Sequence, residues 1–335
     1  MPSKTRFSTK ILIVASILLS VGYVRDLRAA GPRKESAPTC PRYSLPASVL
    51  EKPFRFAGEV IPFQRRDVRA RVRAQLNFLL LDARSVLTTW LIEKNRYAWL
   101  FEEVFEKQGI PKDFILLAPV LSSLSVRSSP RWPGAGWWAL EKPCDASDGV
   151  AMSKDSWHDD RLDLERSTRC FASRLKTIRK ELGVKSWLTT AAAYVTSEKA
   201  VAKLGTQWNT LKYWDLPLPE NAEVLVVRWI ALGVIDANKS AFGIRVVAAP
   251  PLTYDQITGL ILAKDLPVSV IARMTDAPPR QIIQLNPKLK RSPGQFPAKA
   301  GGKRIVHSLA APKGKGWTLV NKLRKNGYLL EKQKH

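Results

Sequence analysis

The segment Gly109-Ile110-Pro111-Lys112-Asp113, followed by Leu116-Leu117-Ala118-Pro119-Val120-Leu121-Ser122-Ser123-Leu124, sits at the centre of a long helical pattern. Before it, Tyr97, Leu100, Phe101, Val104 and Phe105 recur at three- and four-residue steps, the spacing of one apolar helix face. Gly109 and Pro111 close that helix, as Gly at a C-cap and Pro just beyond usually do. Residues 113–121 then read as a further helix, mostly buried. Upstream, Val68, Val72, Leu76, Leu79, Leu80, Ala83, Leu87, Trp90 and Leu91 follow the same helical steps from Asp67 onward.

Downstream, residues 125–150 are rich in Ser, Pro, Gly and Trp and read as loop. Helix resumes with Phe171, Leu175, Ile178 and Leu182 on one face and Gly183 as its cap. Residues 187–199 form a short helix with a small-residue face at Ala191, Ala192 and Ala193, and Pro219 opens a last helix that runs to Val234. Beyond Pro250 and Pro251 the texture changes. Two short helices are expected at 268–273 and 279–285 and a strand at 303–307, which fits a small module of two strands and two helices. The fold class is therefore mainly α, a helical domain followed by a small α+β module. The expected organisation is an export segment (1–30), a Pro-rich linker (31–64), the helical domain (65–245), the module (246–311) and a basic tail (312–335), in which only 317–323 is amphipathic.

Charge is distributed unevenly over this plan. The chain of 335 residues has 54 Lys+Arg against 29 Asp+Glu, a net charge of +25. Residues 1–75 carry +10, residues 286–335 carry +12, and the body between them only +3. Basic flanks on a balanced body fit an anionic surface, a membrane or a wall polymer, and disfavour nucleic acid, whose readers carry the charge on the folded face. With 45% hydrophobic residues, a disordered chain, a collagen and a coiled-coil rod are excluded. A multi-span membrane protein is excluded as well, since no uncharged apolar run reaches about 20 residues. Lys4, Arg6 and Lys10 precede residues 11–24, which hold no charge, and Arg25 closes the run. That is a secretory signal or an N-terminal membrane anchor, and the sequence leaves cleavage open. Export places the protein in the cell envelope, periplasmic, secreted or anchored to the inner membrane. Of the three cysteines, Cys144 and Cys170 can form a bridge after export and leave Cys40 unpaired, or both can be buried thiols.

Metal, nucleotide and nucleophilic chemistry is not indicated, and no cofactor is expected. His158, His307 and His335 are scattered. Asp159, Asp160 and Asp163 beside His158 read as a solvated helix start rather than a cation site. Ser122, Ser123, Ser125, Ser128 and Ser129 lack a nucleophile elbow. Gly134–Gly136 and Gly301-Gly302 do not match a phosphate loop. Eight of the eleven tryptophans fall between Trp132 and Trp229, and Trp132, Trp137, Trp138 and Trp157 cluster near the loop region, as rings that stack on sugar faces would.

The segment around 109–124 resembles the helix that carries the active site of soluble-type lytic transglycosylases, with the membrane-bound transglycosylase D group most similar. Gly134-Ala135-Gly136-Trp137-Trp138 is similar to that family's Gly-x-Trp-Gln loop, and 155–163 resembles its Asp-Glu-Arg-x-Asp stretch. Ala192-Ala193-Tyr194 matches the start of Ala-Ala-Tyr-Asn, and Trp214-Asp215-Leu216-Pro217-Leu218-Pro219 matches a closing Trp-x-Leu-Pro-Leu-Pro segment. Residues 252–310, with Leu285-Asn286-Pro287, resemble a LysM-like glycan-binding module. The resemblance implies a lysozyme-like helical domain that binds peptidoglycan glycan strands. It also implies a Glu that protonates the leaving oxygen and then deprotonates the sugar's own hydroxyl to leave a 1,6-anhydro end.

In this chain Leu121 occupies that Glu position, Ala139 the Gln position and Val195 the Asn position. Ser122, Trp137, Trp138, Tyr194 and Asn286 remain as candidate substrate-binding residues, and Glu141 is a weak stand-in acid that reads better as a solvated loop charge. The expected function is a catalytically degenerate, peptidoglycan-binding pseudoenzyme, with a scaffold role toward other envelope proteins. The alternatives are an active transglycosylase using a displaced carboxylate, and a basic nucleic-acid-binding envelope protein.

Overall fold

The structure, a computed structural model, describes residues 46–122, 134–146, 149–247, 249–290 and 294–330. The expected export segment, Cys40, Trp132, Ser123, Ser125, Ser128, Ser129 and His335 lie outside the described residues. The fold is mainly helical with small antiparallel sheets, and residues from Leu45 onward form one compact unit.

That unit begins earlier than the sequence pattern indicated. Residues 46–64, expected to close a Pro-rich linker, hold a hairpin of β1 (Phe54–Phe56) and β2 (Glu59–Ile61). Ala57 and Gly58 turn it, both at positive φ, which is the two-residue turn whose twist matches paired strands. Prolines report only the absence of helix; the aromatic residues decide the packing. Phe56 lies edge-on to Trp229 at 4.8 Å, and a Cβ on Gly233 would come within 2.1 Å of its ring. The hairpin is tied to the 109–124 segment through Ala57 N–H, which donates to the Asp113 carboxylate at 3.1 Å.

Helix α1 (Arg66–Asn77) passes through a π-helical turn at Phe78–Asp82 into α2 (Arg84–Gln108). Gly109 takes the left-handed cap at φ 68°, and Ile110 N–H reaches back to the Phe105 carbonyl at 2.9 Å. The expected helix over 113–121 divides into a 3-10 turn (Lys112–Leu116) and α3 (Leu117–Ser122), with Pro119 tolerated in the first turn of α3. Trp229 Nε1 donates to the Asp113 carbonyl at 2.9 Å and fixes this segment on the buried helix α7 (Glu220–Ala237). The remaining helices of the body are α4 (Leu164–Glu181), α5 (Trp187–Val195), α6 (Glu198–Trp208) and α7 (Glu220–Ala237). A single helix over 187–199 is not what forms. Ser197 accepts from Ala200 N–H as an N-cap and starts α6, a local bond that overrides the apolar period.

The C-terminal part pairs β3 (Tyr254–Ile261) with β8 (Val306–Pro312), antiparallel, around α8 (Val268–Thr275) and α9 (Pro279–Leu285). Two shorter pairs complete it, β4 (Leu266–Pro267) with β5 (Gln295–Phe296) and β6 (Lys299–Ala300) with β7 (Lys303–Arg304). The tail expected from 312 onward is folded as far as Leu330. Helix α10 (Gly316–Lys325) buries Leu319 and Leu323, and Leu330 N–H bonds the Ile261 carbonyl at 3.0 Å.

Body and module meet along a strand-like seam. Lys290 N–H donates to the Trp157 carbonyl at 2.8 Å and Asp159 N–H to the Lys288 carbonyl at 2.9 Å. The Trp157 ring enters the module core, 6.1 Å from Phe296 and 5.2 Å from His307. Lys288 Nζ meets the Asp163 carboxylate at 3.1 Å, both largely buried. Among the described residues no helix is long and apolar enough to cross a membrane.

Candidate functional site

A cleft of about 460 Å³ opens where the loop at 134–142, α4 and the junction of α5 with α6 converge. Ala139, Glu141, Arg174, Tyr194, Val195 and Glu198 line it. The sequence brings the loop here by backbone closure. Ala135 and Leu140 exchange N–H to carbonyl bonds at 2.9 and 3.0 Å. Gly136 stands at φ 75°, where a Cβ would lie 2.0 Å from the Arg161 carbonyl oxygen. Ala139 is held at φ 49°, a left-handed conformation costly for any residue with a Cβ.

Arg161 locks the loop from behind. Its Nε and Nη2 grip the Asp159 carboxylate at 3.0 and 2.7 Å, and Nη1 donates to the carbonyls of Leu140 at 3.1 Å and Glu141 at 2.7 Å. Asp160 accepts from Ser153 N–H at 3.0 Å and pairs with Arg166 at 3.3 Å. Hydrogen bonds and the Arg166 charge hold its carboxyl below the usual carboxylate range, although burial opposes this. The aspartates at 159 and 160 are thus buried in ion pairs rather than solvated, because their partner arginines sit within the same turn and the next helix. Among the described residues no three His, Cys, Asp or Glu side chains form a metal-binding group.

The Trp137 and Trp138 rings are covered, so neither offers a free face for stacking on a sugar. Trp138 is fully buried, stacks on Phe171 at 4.0 Å and donates from Nε1 to Thr168 Oγ1 at 2.9 Å. Trp137 packs edge-on to Tyr97 at 4.4 Å. Trp157, also placed near a groove by its loop context, fills the module core described above. Tyr194 Oη donates to the Trp138 carbonyl at 2.6 Å, and burial pushes its hydroxyl pKa above the usual value. The loop, Trp138 and Tyr194 therefore form one rigid wall.

Leu121 lies near the end of α3, 5% exposed, among core side chains. Ser122 Oγ donates to the Ala118 carbonyl at 2.9 Å, which commits its hydroxyl to the helix. Glu141 is exposed on the cleft rim. Asn286 is remote from this cleft and buried at the base of the module. It donates to the carbonyls of Ile282 at 2.9 Å and Ala310 at 2.8 Å and accepts from Ala310 N–H at 2.9 Å, so its amide joins α9 to β8.

One feature of the cleft escaped the sequence reading, and a second was left open by it. Arg174 lines the wall beside Tyr194, and its Nε is buried without a hydrogen-bond partner; it sits three residues after Phe171 and one before Leu175, on the edge of an apolar stripe. The second is a disulfide between Cys144 and Cys170, with Cα atoms 5.9 Å apart, which ties the loop to α4 and settles the choice the sequence left open.

No family model matches the chain. Over 151 residues it is 26% identical to membrane-bound lytic murein transglycosylase D of Escherichia coli strain K12. It is equally similar to the protein of that name from Escherichia coli O6:H1. Each match covers 44% of this chain and 32% of the relative, so the chain spans about a third of the length of the curated proteins it resembles. The likeness is distant and of lytic transglycosylase type.

Proposed function

We propose that this protein is a peptidoglycan-binding, catalytically degenerate relative of the lytic transglycosylases, acting in the cell envelope as a scaffold for other envelope proteins. The observation that carries the reading is Leu121. It stands in α3 where the resemblance puts the acid, while the wall of loop, Trp138 and Tyr194 is kept. A leucine side chain cannot move a proton, and Ala139 and Val195 exchange two polar contacts of the cleft for apolar ones. Glycan contacts fall to the groups that face the cleft, Glu141, Arg174, Thr196 and Glu198.

The arrangement of β3, α8, α9 and β8 supports a LysM-like second glycan contact, and the basic flanks would face anionic wall or membrane surfaces. Envelope location is supported by the Cys144 to Cys170 disulfide, since such bonds persist in oxidising compartments. The test is co-sedimentation of the purified full chain with sacculi, competed by soluble glycan fragments. Pelleting abolished by the fragments supports the proposal, and a chain that stays in the supernatant rejects it. The active-enzyme alternative rests on Glu141, the carboxylate of the cleft loop. It requires digestion products that Glu141→Gln removes.

A further inference from the structure

From residue 277 to residue 330 the chain contains twelve Lys and Arg and no Asp or Glu. Among the described residues, the ion pairs that involve them are Lys288 with Asp163 and Lys313 with Asp255. Of the other described cations, Lys290, Arg304 and Lys322 donate to backbone carbonyls and Arg324 to the Asn321 side chain. Helix α10 concentrates it around one aromatic side chain. Its inner face, Gly316, Leu319 and Leu323, is buried against the module. At 100° per residue the opposite arc carries Trp317, Asn321, Lys322, Arg324 and Lys325. Trp317 is 76% exposed, the most exposed aromatic among the described residues. Lys313 and Lys315 precede it in the turn, and Arg324 and Lys325 follow about 10–12 Å along the axis.

We infer that this face of α10 is a contact for an anionic lipid bilayer surface. An indole on a helix that lies flat against its own domain, bracketed by cations within roughly one Debye length, is the arrangement that seats at a headgroup boundary. The charged, aromatic arc is the outward side of a surface helix, which suits a deformable planar surface better than a polymer strand that needs a groove. Aromatic insertion supplies apolar burial, and the cations supply attraction to acidic headgroups. The inference rests on the envelope location proposed above but not on the cleft.

The test places an environment-sensitive fluorophore at Asn321→Cys in the full chain, with Cys40→Ser leaving one reactive thiol. The label reports α10 itself, whatever residues 1–30 do. With vesicles of phosphatidylcholine and phosphatidylglycerol the emission should shift to the blue, and 0.5 M salt should suppress the shift. Pure phosphatidylcholine vesicles should produce none. Each cation near an acidic surface strengthens binding about fivefold. The Lys322→Gln, Arg324→Gln, Lys325→Gln triple variant should therefore bind roughly 100-fold more weakly. Trp317→Ala, which loses partial burial of a ring of about 200 Å², should bind about tenfold more weakly. These side chains are exposed, so circular dichroism of the variants should match the parent. No shift with acidic vesicles, an equal shift with neutral ones, or an unaffected triple variant would overturn the inference. Pelleting with sacculi while residue 321 stays silent to vesicles rejects the lipid contact and leaves the glycan reading intact.

Discussion

Replacing Trp157 by alanine removes the one ring that, among the described residues, the helical body places in the core of the module. The indole is 7% exposed and buries about 200 Å². At about 25 cal/mol per Å² that is roughly 5 kcal/mol against a fully extended chain. Allowing for the alanine methyl and for a compact unfolded state reduces it to about 3 kcal/mol, and the cavity left between Phe296 and His307 brings it to about 3–4 kcal/mol. No hydrogen bond adds to the cost, because Trp157 Nε1 is buried without a partner and the seam bonds at 157 and 159 come from the backbone. Urea unfolding followed by circular dichroism should show this loss, with Trp157→Phe losing about half as much. The seam should also open. Arg245 is exposed just before the module, so trypsin should cut after it faster in Trp157→Ala and release the C-terminal part. A loss below about 1 kcal/mol with unchanged cleavage at Arg245 would refute the claim that Trp157 joins the two parts.

Three further outcomes follow from particular contacts. Removing the disulfide with Cys144→Ala and Cys170→Ala, which frees a loop of 26 residues, should cost about 3.5 kcal/mol in urea midpoint analysis; an unchanged midpoint under reductant would contradict it. Burial holds the His307 imidazole below its ordinary pKa of 6.5, so the folded state favours the neutral ring. Stability is then fully present above about pH 6.5 and declines as pH falls below it, and His307→Gln should flatten that decline between pH 7.5 and 5. Leu121→Glu restores a carboxyl in a buried position, yet muropeptide release from sacculi should stay at background, because Ala139 and Val195 still fail to position substrate.

The helical body was legible because its signals are local. The three- and four-residue spacing, Gly109 and Pro111, Gly183, and Pro219 before α7 each act within a few residues. The hairpin at 54–61 was missed because two three-residue strands give no period to count and the prolines around them read as linker. The break between α5 and α6 rests on one serine hydroxyl. Trp157 was misplaced for another reason: its partners Phe296 and His307 lie more than a hundred residues on, and no local pattern says which core a ring will enter. At the site, the weight of Leu121, Ala139 and Val195 came from the resemblance alone. Burial of Trp137 and Trp138, the Arg161 grip on the loop and the unpaired Arg174 Nε emerge only when α4 is packed behind the cleft.

On the proposed function, a transglycosylase-like frame binds peptidoglycan and does not cut it. The most direct measurement is chromatography of the soluble products after purified sacculi are incubated with the full chain. The account predicts protein bound to the insoluble wall and no anhydro-muropeptides above a buffer control. Release of anhydro-muropeptides by the wild-type chain, abolished by Glu141→Gln, would contradict it.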